Sequence, residues 1–283
     1  MNNTFSLIIA TYGRRKELEI LLESIAKQNY DLNLIEVFII DQNTEISLQN
    51  IIEKYVKVLN IKHIKSERKG TSFNRNIGIQ YATGDILAFP DDDCSYYPDT
   101  LKNVNIEVNK DNTVSCFLGR IFDYSTGKNI VRNWKKYSFR VNWWNFYQNY
   151  SEIVTFVKRK DSYGFYFCEQ LGPGTDFGSC EGVDYLSNFL KNNLKIKYSP
   201  SIAVWHPQEK IEEFSQNKNY QYGKGFGAFC KKNLNPAVLL LFIEVLIYHV
   251  LWIICAIFTG NDRRLKIRKQ CVQSRIEGWQ DWK

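Results

Sequence analysis

This chain lacks the cysteine spacing that disulfide-rich and zinc-binding domains use. Its seven cysteines are scattered along the sequence, odd in number and without a Cys-x-x-Cys pair. That distribution argues against a disulfide framework and against a zinc site. It predicts a reducing compartment, the cytoplasm.

Two targeting or binding signals are also missing. The N-terminal residues have no basic flank and only a short apolar run, so we expect no secretory signal. The net charge of +7 comes without a basic motif, so we expect no nucleic-acid partner. That charge suits an anionic substrate or an acidic membrane surface. With 283 residues, the chain can bury a substantial core as one large domain or as two closely joined parts.

Short apolar runs alternate with helical patterns in the N-terminal part of the chain. Residues 5–10, 35–40 and 61–64 have the β-branched, apolar character of buried parallel strands. Leucines and isoleucines recur at helical spacing between them, and 77–82 is typical of the end of another helix. Alternation of this kind predicts a parallel sheet with right-handed crossovers, whose polar strand ends share one edge.

Asp91, Asp92 and Asp93 follow a further strand-like run, residues 85–90. Three adjacent carboxylates repel one another unless a cation takes up their charge, so the cluster predicts a divalent metal. A solvated acidic turn is the alternative for an arbitrary triplet. The position at a strand end favours the metal, because open α/β sheets bind ligands beyond the carboxyl ends of their strands.

An ordered set of motifs resembles the family 2 glycosyltransferases of the GT-A fold. The set comprises residues 6–12 (SLIIATY), Asp41, 69–78 (KGTSFNRNIG), 83–93 (TGDILAFPDDD), 171–175 (LGPGT), 179–184 (SCEGVD) and 205–207 (WHP). The resemblance covers roughly residues 5 to 210 in order. It implies an α/β fold with a Rossmann-like, mostly parallel sheet flanked by helices.

The resemblance also implies a nucleotide-sugar donor, expected to be UDP-linked, a Mn²⁺ or Mg²⁺ cofactor and inversion at the anomeric carbon. Carried over by position, the donor-binding residues are Thr11, Tyr12, Asp41, Arg75, Asp91 and Asp92, and the metal ligands are Asp93 and His206. Asp41 can accept a hydrogen bond from a uracil N–H, and Asp91 is assigned to the ribose. For Arg75, a structural ion pair is an equally good interpretation.

Glu181 is the first candidate for the catalytic base, and Asp184 is the second. Many relatives have a Glu-Asp pair at this point, whereas this chain has Gly182 in the second place. Glu181 and Asp184 are one turn apart if a helix covers 183–190, and acids in a first turn also stabilise a helix through its dipole. That capping role is the structural alternative for either residue.

The C-terminal region contains an apolar stretch, residues 237–258, that is long enough to cross a bilayer. Glu244 and His249 interrupt it, and basic residues flank it on both sides. Because ionisable groups are costly inside a membrane, we favour peripheral or monotopic attachment to an anionic membrane surface over a single span. The expected location is the cytoplasmic face of the cell membrane.

The sequence therefore predicts a transferase that adds a sugar to a glycan or lipid-linked acceptor in surface polysaccharide synthesis. Relatives that polymerise sugars carry a Gln-x-x-Arg-Trp motif, which this chain lacks, so we expect single-sugar addition. The alternatives are a nucleotidyltransferase of sugar phosphates and a non-catalytic membrane scaffold. We expect donor binding in residues 1–110, acceptor binding and catalysis in 111–210, and a helical membrane-associating region in 211–283.

Overall fold

The computed structural model describes residues 2–207 and 216–283, which form two compact units. Of the described residues, 2–166 and 185–207 belong to the first unit, and 167–184 and 216–283 belong to the second. The predicted division at residues 110 and 210 concerns binding roles and stays a prediction. Its last boundary, in residues 208–215, lies outside the described residues.

The strands and helices follow the predicted alternation in the N-terminal part. The strands are β1 (Phe5–Thr11), β2 (Ile35–Asp41), β3 (Asn60–Lys65), β4 (Ile86–Ala88), β5 (Ser95–Tyr96), β6 (Val114–Asp123), β7 (Lys128–Asn129), β8 (Phe139–Val141), β9 (Thr155–Lys158) and β10 (Lys195–Trp205). The helices are α1 (Lys16–Ala26), α2 (Gln49–Tyr55), α3 (Thr71–Tyr81), α4 (Thr100–Lys110), α5 (Glu181–Lys191), α6 (Gln216–Lys232), α7 (Pro236–Phe258) and α8 (Asp262–Asp281). The predicted strands at 5–10, 35–40 and 61–64 and the helix ending near Ala82 are confirmed.

The first unit is built on one mixed sheet with the strand order β3-β2-β1-β4-β9-β6-β10-β5. Strands β3, β2, β1 and β4 are parallel, as the sequence predicts, and β6 also pairs in parallel with β10. β9 is antiparallel to both β4 and β6, and it joins the two parallel parts. All seven residues of β2 are buried, which explains why that strand is a nearly continuous apolar run.

Glu36 is a charged exception in the buried strand β2, and it ties several elements together. One carboxylate oxygen accepts hydrogen bonds from Ser6 Oγ (2.6 Å), Thr83 N (2.7 Å) and Gly84 N (3.2 Å). The other oxygen pairs with Lys62 Nζ at 2.8 Å. Burial works against ionisation, but the donors from Lys62, Ser6 and Thr83 outweigh it and lower the pKa of Glu36 to about 2.

The second unit contains α6, α7 and α8, and two glycines let α6 and α8 approach closely. A Cβ atom on Gly227 would collide with the backbone of Arg275, and one on Gly278 would collide with the backbone of Lys224. The backbones of the two helices are therefore in direct contact at these positions. α7 begins where Asn235 Oδ1 accepts hydrogen bonds from the first-turn amides, an arrangement typical of a helix N-cap.

We predict that Glu36→Gln lowers the free energy of unfolding by about 2 kcal/mol at pH 7, because it removes the ion pair with Lys62 and weakens charge-assisted hydrogen bonds. The folded pKa lies below the ordinary value of about 4.3, so the stabilisation is complete above about pH 5 and is lost as the pH falls towards 2. Urea unfolding of the full chain should therefore show a smaller difference between wild type and variant at pH 3 than at pH 7.

The exposed Glu53 of α2 provides the matched control, since Glu53→Gln should have little effect at either pH. A difference between wild type and Glu36→Gln that does not change with pH would contradict the assigned ionisation.

Candidate functional site

The ends of the parallel strands place several predicted site residues in one row. In the register of the sheet, Thr11 of β1 lies beside Asp41 of β2, and Asp41 lies beside Lys65 of β3. β4 runs in the same direction on the other side of β1, so the segment that follows it starts from the same edge. Asp91, Asp92 and Asp93 are in that segment. All these residues belong to the first unit.

Asp41 is completely buried and is held by four donors. Lys65 Nζ (2.7 Å) and His63 Nε2 (2.9 Å) contact one carboxylate oxygen, and the backbone and side-chain nitrogens of Asn43 donate to the other. Burial alone would raise the pKa of Asp41, but these partners outweigh it and lower the pKa below its ordinary value. Among these donors, Lys65 is the most accessible, since 58% of its side chain is exposed against 20% for His63.

Tyr12, directly after β1, offers a half-exposed aromatic ring beside this row. Lys69 Nζ donates to the Tyr12 hydroxyl at 2.8 Å and lies 4.5 Å from the ring centroid. The following residue, Gly13, has a φ of 76°, and its amide donates to Asn43 Oδ1 at 2.7 Å. The loop after β1 is thus fixed to the residues that follow β2, and the left-handed backbone explains the glycine.

Asp92 is buried and binds two groups from the end of β1. Thr11 Oγ1 donates to one carboxylate oxygen at 2.8 Å, and Arg14 Nη1 contacts the other at 2.8 Å. The same Arg14 nitrogen lies 2.7 Å from Asp93 Oδ2, so one guanidinium bridges two neighbouring carboxylates. Burial raises the pKa of Asp92, with Arg14 and Thr11 opposing that rise.

Asp91 pairs with Arg75, which the family resemblance assigns to the same pocket. Arg75 Nη2 lies 2.6 Å from Asp91 Oδ1, and the arginine side chain is only 1% exposed on α3. The Asp91 side chain is 32% exposed. Loss of hydration around its carboxylate raises the pKa of Asp91 to about 6, although the positive charge of Arg75 opposes that rise. Arg75 therefore forms an ion pair with Asp91. A contact between Arg75 and the nucleotide-sugar donor stays a prediction.

Asp91, Asp93 and His206 form a candidate metal centre. One potential ligand atom from each residue lies within 4.8 Å of the other two. The topology explains this grouping, because Trp205 at the end of β10 pairs with Ser95 of β5 and brings the next residue, His206, to the aspartate segment. His206 Nε2 is 3.3 Å from Asp93 Oδ1.

The potential ligand atoms of Asp91, Asp93 and His206 fit a divalent cation. Asp93 Oδ1 is buried and, within residues 2–207 and 216–283, has no hydrogen-bond partner, although His206 lies at ion-pair distance. Burial opposes the charge on both side chains, but their mutual attraction outweighs it, so the pKa of Asp93 is lowered and that of His206 is raised. Two carboxylates and an imidazole are acceptable ligands for Mn²⁺, whereas Mg²⁺ prefers oxygen.

The second unit holds the two candidate bases in the first turn of α5. Asp184 is 1% exposed, and both of its oxygens are occupied: Lys232 Nζ lies 2.5 Å from Oδ2, and Asn233 Nδ2 lies 2.8 Å from Oδ1. Glu181 is also buried, at 5% exposure. Its carboxyl group packs against Gly172, where φ is 102° and an added Cβ would be 2.9 Å from Glu181 Cδ.

The structure thus brings six predicted residues of the first unit into a chain of contacts and places two more at neighbouring strand ends. The six are Thr11, Arg75, Asp91, Asp92, Asp93 and His206, and the two are Tyr12 and Asp41. Three basic partners of these acids could not be recognised from the sequence: Arg14, Lys65 and Lys232. A basic residue near a strand or helix end is a weak local signal, because its partner is distant in the sequence.

Comparison with known proteins identifies a family and several relatives. Residues 6–167, more than half of the chain, match the sequence model of Glycosyl transferase family 2. Poly(ribitol-phosphate) beta-N-acetylglucosaminyltransferase TarS of Staphylococcus aureus is 35% identical over 102 residues, which are 35% of this chain and 18% of TarS. Glycosyltransferase AglE of Haloferax volcanii is 22% identical over 225 residues, 78% of this chain and 72% of AglE. The chain thus matches less than a fifth of the TarS sequence.

Two solved structures show the same fold. The structure of S. aureus TarS 1-349 in complex with UDP-GlcNAc has a TM-score of 0.65 at 17% identity, covering 99% of this chain and 91% of that one. Mannosyltransferase PcManGT from Pyrobaculum calidifontis, in complex with GDP-Man and Mn²⁺, has a TM-score of 0.66 at 12% identity, covering 99% and 88%. The GT-A type of α/β fold that the sequence predicts is confirmed.

We predict that Asp184 and Lys232 are energetically coupled. Asp184→Asn should lower the free energy of unfolding by about 2 kcal/mol, because it leaves an ammonium group without its buried partner, and Lys232→Met should do the same to the carboxylate. The double variant should be less destabilised than the sum of the two single changes. Thermal unfolding of the four proteins measures this coupling.

Lys231→Met is the matched control, since Lys231 is exposed and lies over the ring of Trp279, 5.4 Å from its centroid. It should show no coupling to Asp184→Asn. Strictly additive losses for Asp184 and Lys232 would show that the ion pair does not stabilise the second unit.

Proposed function

The chain belongs to Glycosyl transferase family 2, and we propose that it transfers a sugar from a nucleotide-sugar donor, a UDP-sugar, to a glycan acceptor with inversion. The observation that carries this proposal is the grouping of Asp91, Asp93 and His206 beside the ends of β1 and β2. TarS, which shares the fold, has been crystallised with UDP-GlcNAc and with UDP. A donor of this class would place its base near Tyr12 and Asp41.

Asp91, Asp93 and His206 would hold the metal ion, and Mn²⁺ suits the imidazole better than Mg²⁺ does. A divalent cation bound there supplies positive charge that stabilises the leaving diphosphate. Asp92, bound to Thr11 and Arg14, keeps the aspartate segment against the end of β1. We assign Asp91 to the donor ribose as well as to the metal, and Asp92 to donor binding.

Glu181 is the residue that we assign as the general base. A base must accept a proton from the acceptor hydroxyl, and Glu181 holds the acidic position of the family motif, next to Gly182. Both oxygens of Asp184 already bind Lys232 and Asn233, and protonation would break that ion pair. Asp184 is better suited to fixing the first turn of α5, in which Glu181 lies.

The test begins with Glu181→Gln, which keeps the size of the side chain and removes its basicity. Turnover should fall about 100- to 10,000-fold, the range for general base catalysis, while affinity for UDP stays close to wild type. Turnover is measured by the release of UDP from a panel of UDP-sugars, with and without glycan acceptors. Affinity for UDP is measured by calorimetry. A small loss in Glu181→Gln beside a large loss in Asp184→Asn would exchange the two roles.

Two glycine variants provide matched controls for the position of the carboxylate. Gly172→Ala and Gly164→Ala place a side chain on a left-handed backbone, with φ of 102° and 79°, so both should cost about 1–2 kcal/mol of stability. Only the first adds an atom against Glu181, since nothing lies within 4 Å of a Cβ at Gly164. Turnover should fall in Gly172→Ala alone.

Release of pyrophosphate from a nucleoside triphosphate and a sugar phosphate would instead indicate a nucleotidyltransferase.

We further propose that α7 lies on the cytoplasmic face of a membrane, where the acceptor is attached to a lipid. α7 is the one helix within 2–207 and 216–283 that is long and apolar enough to span a bilayer. Many of its apolar side chains are exposed, among them Leu240, Ile243, Ile247, Leu251 and Ile254. Their spacing of three or four residues forms one apolar face along the helix.

The packing of α8 favours an in-plane helix over a span. Phe242 stacks on Trp279 at 4.6 Å, and Trp252 lies under Arg264 at 4.9 Å, so α8 runs back along α7 in the opposite direction. A spanning α7 would carry α8, with six lysines and arginines, into the hydrocarbon layer. Each basic residue at the bilayer centre costs about 2.5–3.5 kcal/mol. At the surface, the same residues attract anionic head groups.

We predict that Ile247→Glu/Leu251→Glu abolishes flotation of the full chain with vesicles that contain anionic phospholipid, because it places charges on the apolar face. Lys266→Glu/Lys269→Glu should weaken flotation and remove its dependence on salt. Ile106→Glu, at an exposed apolar position of α4, is the control and should float like wild type. Retention under alkaline carbonate together with a C-terminal tag accessible only from outside the cell would establish a span instead.

A further inference from the structure

We propose that Arg14 is the resident counter-ion of the aspartate cluster: it holds Asp93 when no metal is bound, releases it to a divalent cation, and then binds the diphosphate of the donor. This inference rests on the proposed function, because it concerns the same site. Its basis is the bridge that one Arg14 nitrogen makes to Asp92 Oδ1 at 2.8 Å and Asp93 Oδ2 at 2.7 Å.

The two arginines of the cluster differ in a way that distinguishes their roles. Arg75, which pairs with Asp91, is 1% exposed and belongs to α3. Arg14 lies in the loop between β1 and α1, and 44% of its side chain is exposed, while the Asp92 and Asp93 side chains are only 7% and 11% exposed. Arg75 is therefore a fixed part of the cluster, and Arg14 is the cation that can leave.

Arg14 contacts one oxygen of the Asp93 carboxylate, Oδ2, while the other oxygen, Oδ1, lies 3.3 Å from His206 Nε2. Asp93 belongs to the candidate metal centre with Asp91 and His206, and its Oδ2 is taken by Arg14. A guanidinium and a divalent cation on the same carboxylate repel each other strongly at this short range. Metal binding at Asp93 therefore competes with the Arg14 contact.

Arg14 regains a partner when a diphosphate is present. The planar guanidinium has five N–H donors whose geometry matches phosphate oxygens, and it cannot lose its charge by deprotonation. Because it already reaches Asp93, it can reach a diphosphate bound to the same centre. Metal and nucleoside diphosphate should then each increase the affinity for the other, as linkage requires.

An ordinary structural ion pair predicts a different result from a displaceable counter-ion. If Arg14 only supports the cluster, its removal should weaken the binding of both Mn²⁺ and UDP, or affect neither. If Arg14 competes with the metal and binds the diphosphate, its removal should shift the two affinities in opposite directions. The opposite changes in the affinities for Mn²⁺ and UDP can be measured by binding alone, without an activity assay.

The experiment uses the full chain as wild type and as Arg14→Gln. Titration with Mn²⁺ alone, followed by electron paramagnetic resonance of the free ion, should show affinity at least about ten-fold higher in Arg14→Gln, because one competing positive charge is gone. Calorimetry with UDP in the presence of saturating Mn²⁺ should show affinity about ten-fold lower, because charge-assisted hydrogen bonds to the diphosphate are lost. The gain in Mn²⁺ affinity that saturating UDP provides should also be smaller.

Three further variants make the result specific. Arg15→Gln removes the neighbouring exposed arginine and should change neither affinity. Arg14→Lys keeps the charge without the fork, so Mn²⁺ should bind as in wild type and UDP should bind more weakly. Adding Asp93→Asn to Arg14→Gln should remove the gain in Mn²⁺ affinity. Circular dichroism and thermal unfolding establish that each variant is folded.

Unchanged or lower affinity for Mn²⁺ alone in Arg14→Gln would overturn this inference, and the proposed function would stand if wild type still bound UDP and Mn²⁺ together. Binding of neither Mn²⁺ nor UDP by any folded variant would overturn both. Binding of Mn²⁺ alone by Arg14→Gln but not by wild type would support the inference in its strongest form.

Discussion

Four carboxylates, those of Asp41, Asp91, Asp92 and Asp93, lie in the segments that follow or end the parallel strands, and their mutual repulsion is balanced locally. Lys65 pairs with Asp41, Arg75 pairs with Asp91, and Arg14 bridges the remaining two. The loop after β1, the end of β3 and helix α3 are thus fixed by charge to the same edge of the sheet. Without these cations, the burial of so many acids would be prohibitively costly.

The sequence predicted the parts of the fold that depend on local patterns. β1, β2 and β3 are buried apolar runs, so their strand character and parallel pairing follow from composition and from the helices between them. The antiparallel strand β9 between β4 and β6 could not be predicted in this way. Its position depends on pairing between segments far apart in the sequence, and no local pattern encodes that register.

The same distinction separates what could and could not be predicted of the site. A charged strand end can be recognised from the sequence as the run Asp91, Asp92 and Asp93, and the family resemblance adds His206. The pairing of Trp205 with Ser95 brings His206 beside Asp93. The partners that neutralise the acids come from elsewhere in the chain, and a lone arginine or lysine has no periodic signature. Asp184 illustrates the consequence: its spacing suits a base, but only its contacts with Lys232 and Asn233 show that both oxygens are engaged.

The ion pair between Asp184 and Lys232 also bears on how the protein is made. The segment 167–184 belongs to the same compact unit as the C-terminal helices, although the chain forms β10 between them. A chain that emerges from the ribosome N-terminus first can complete the sheet before α6 is synthesised. The buried carboxylate of Asp184 in the first turn of α5 gains its cation only after Lys232 has emerged. Glu181, in the same turn, therefore acquires its final surroundings late in biosynthesis, when the sheet of the first unit can already be complete.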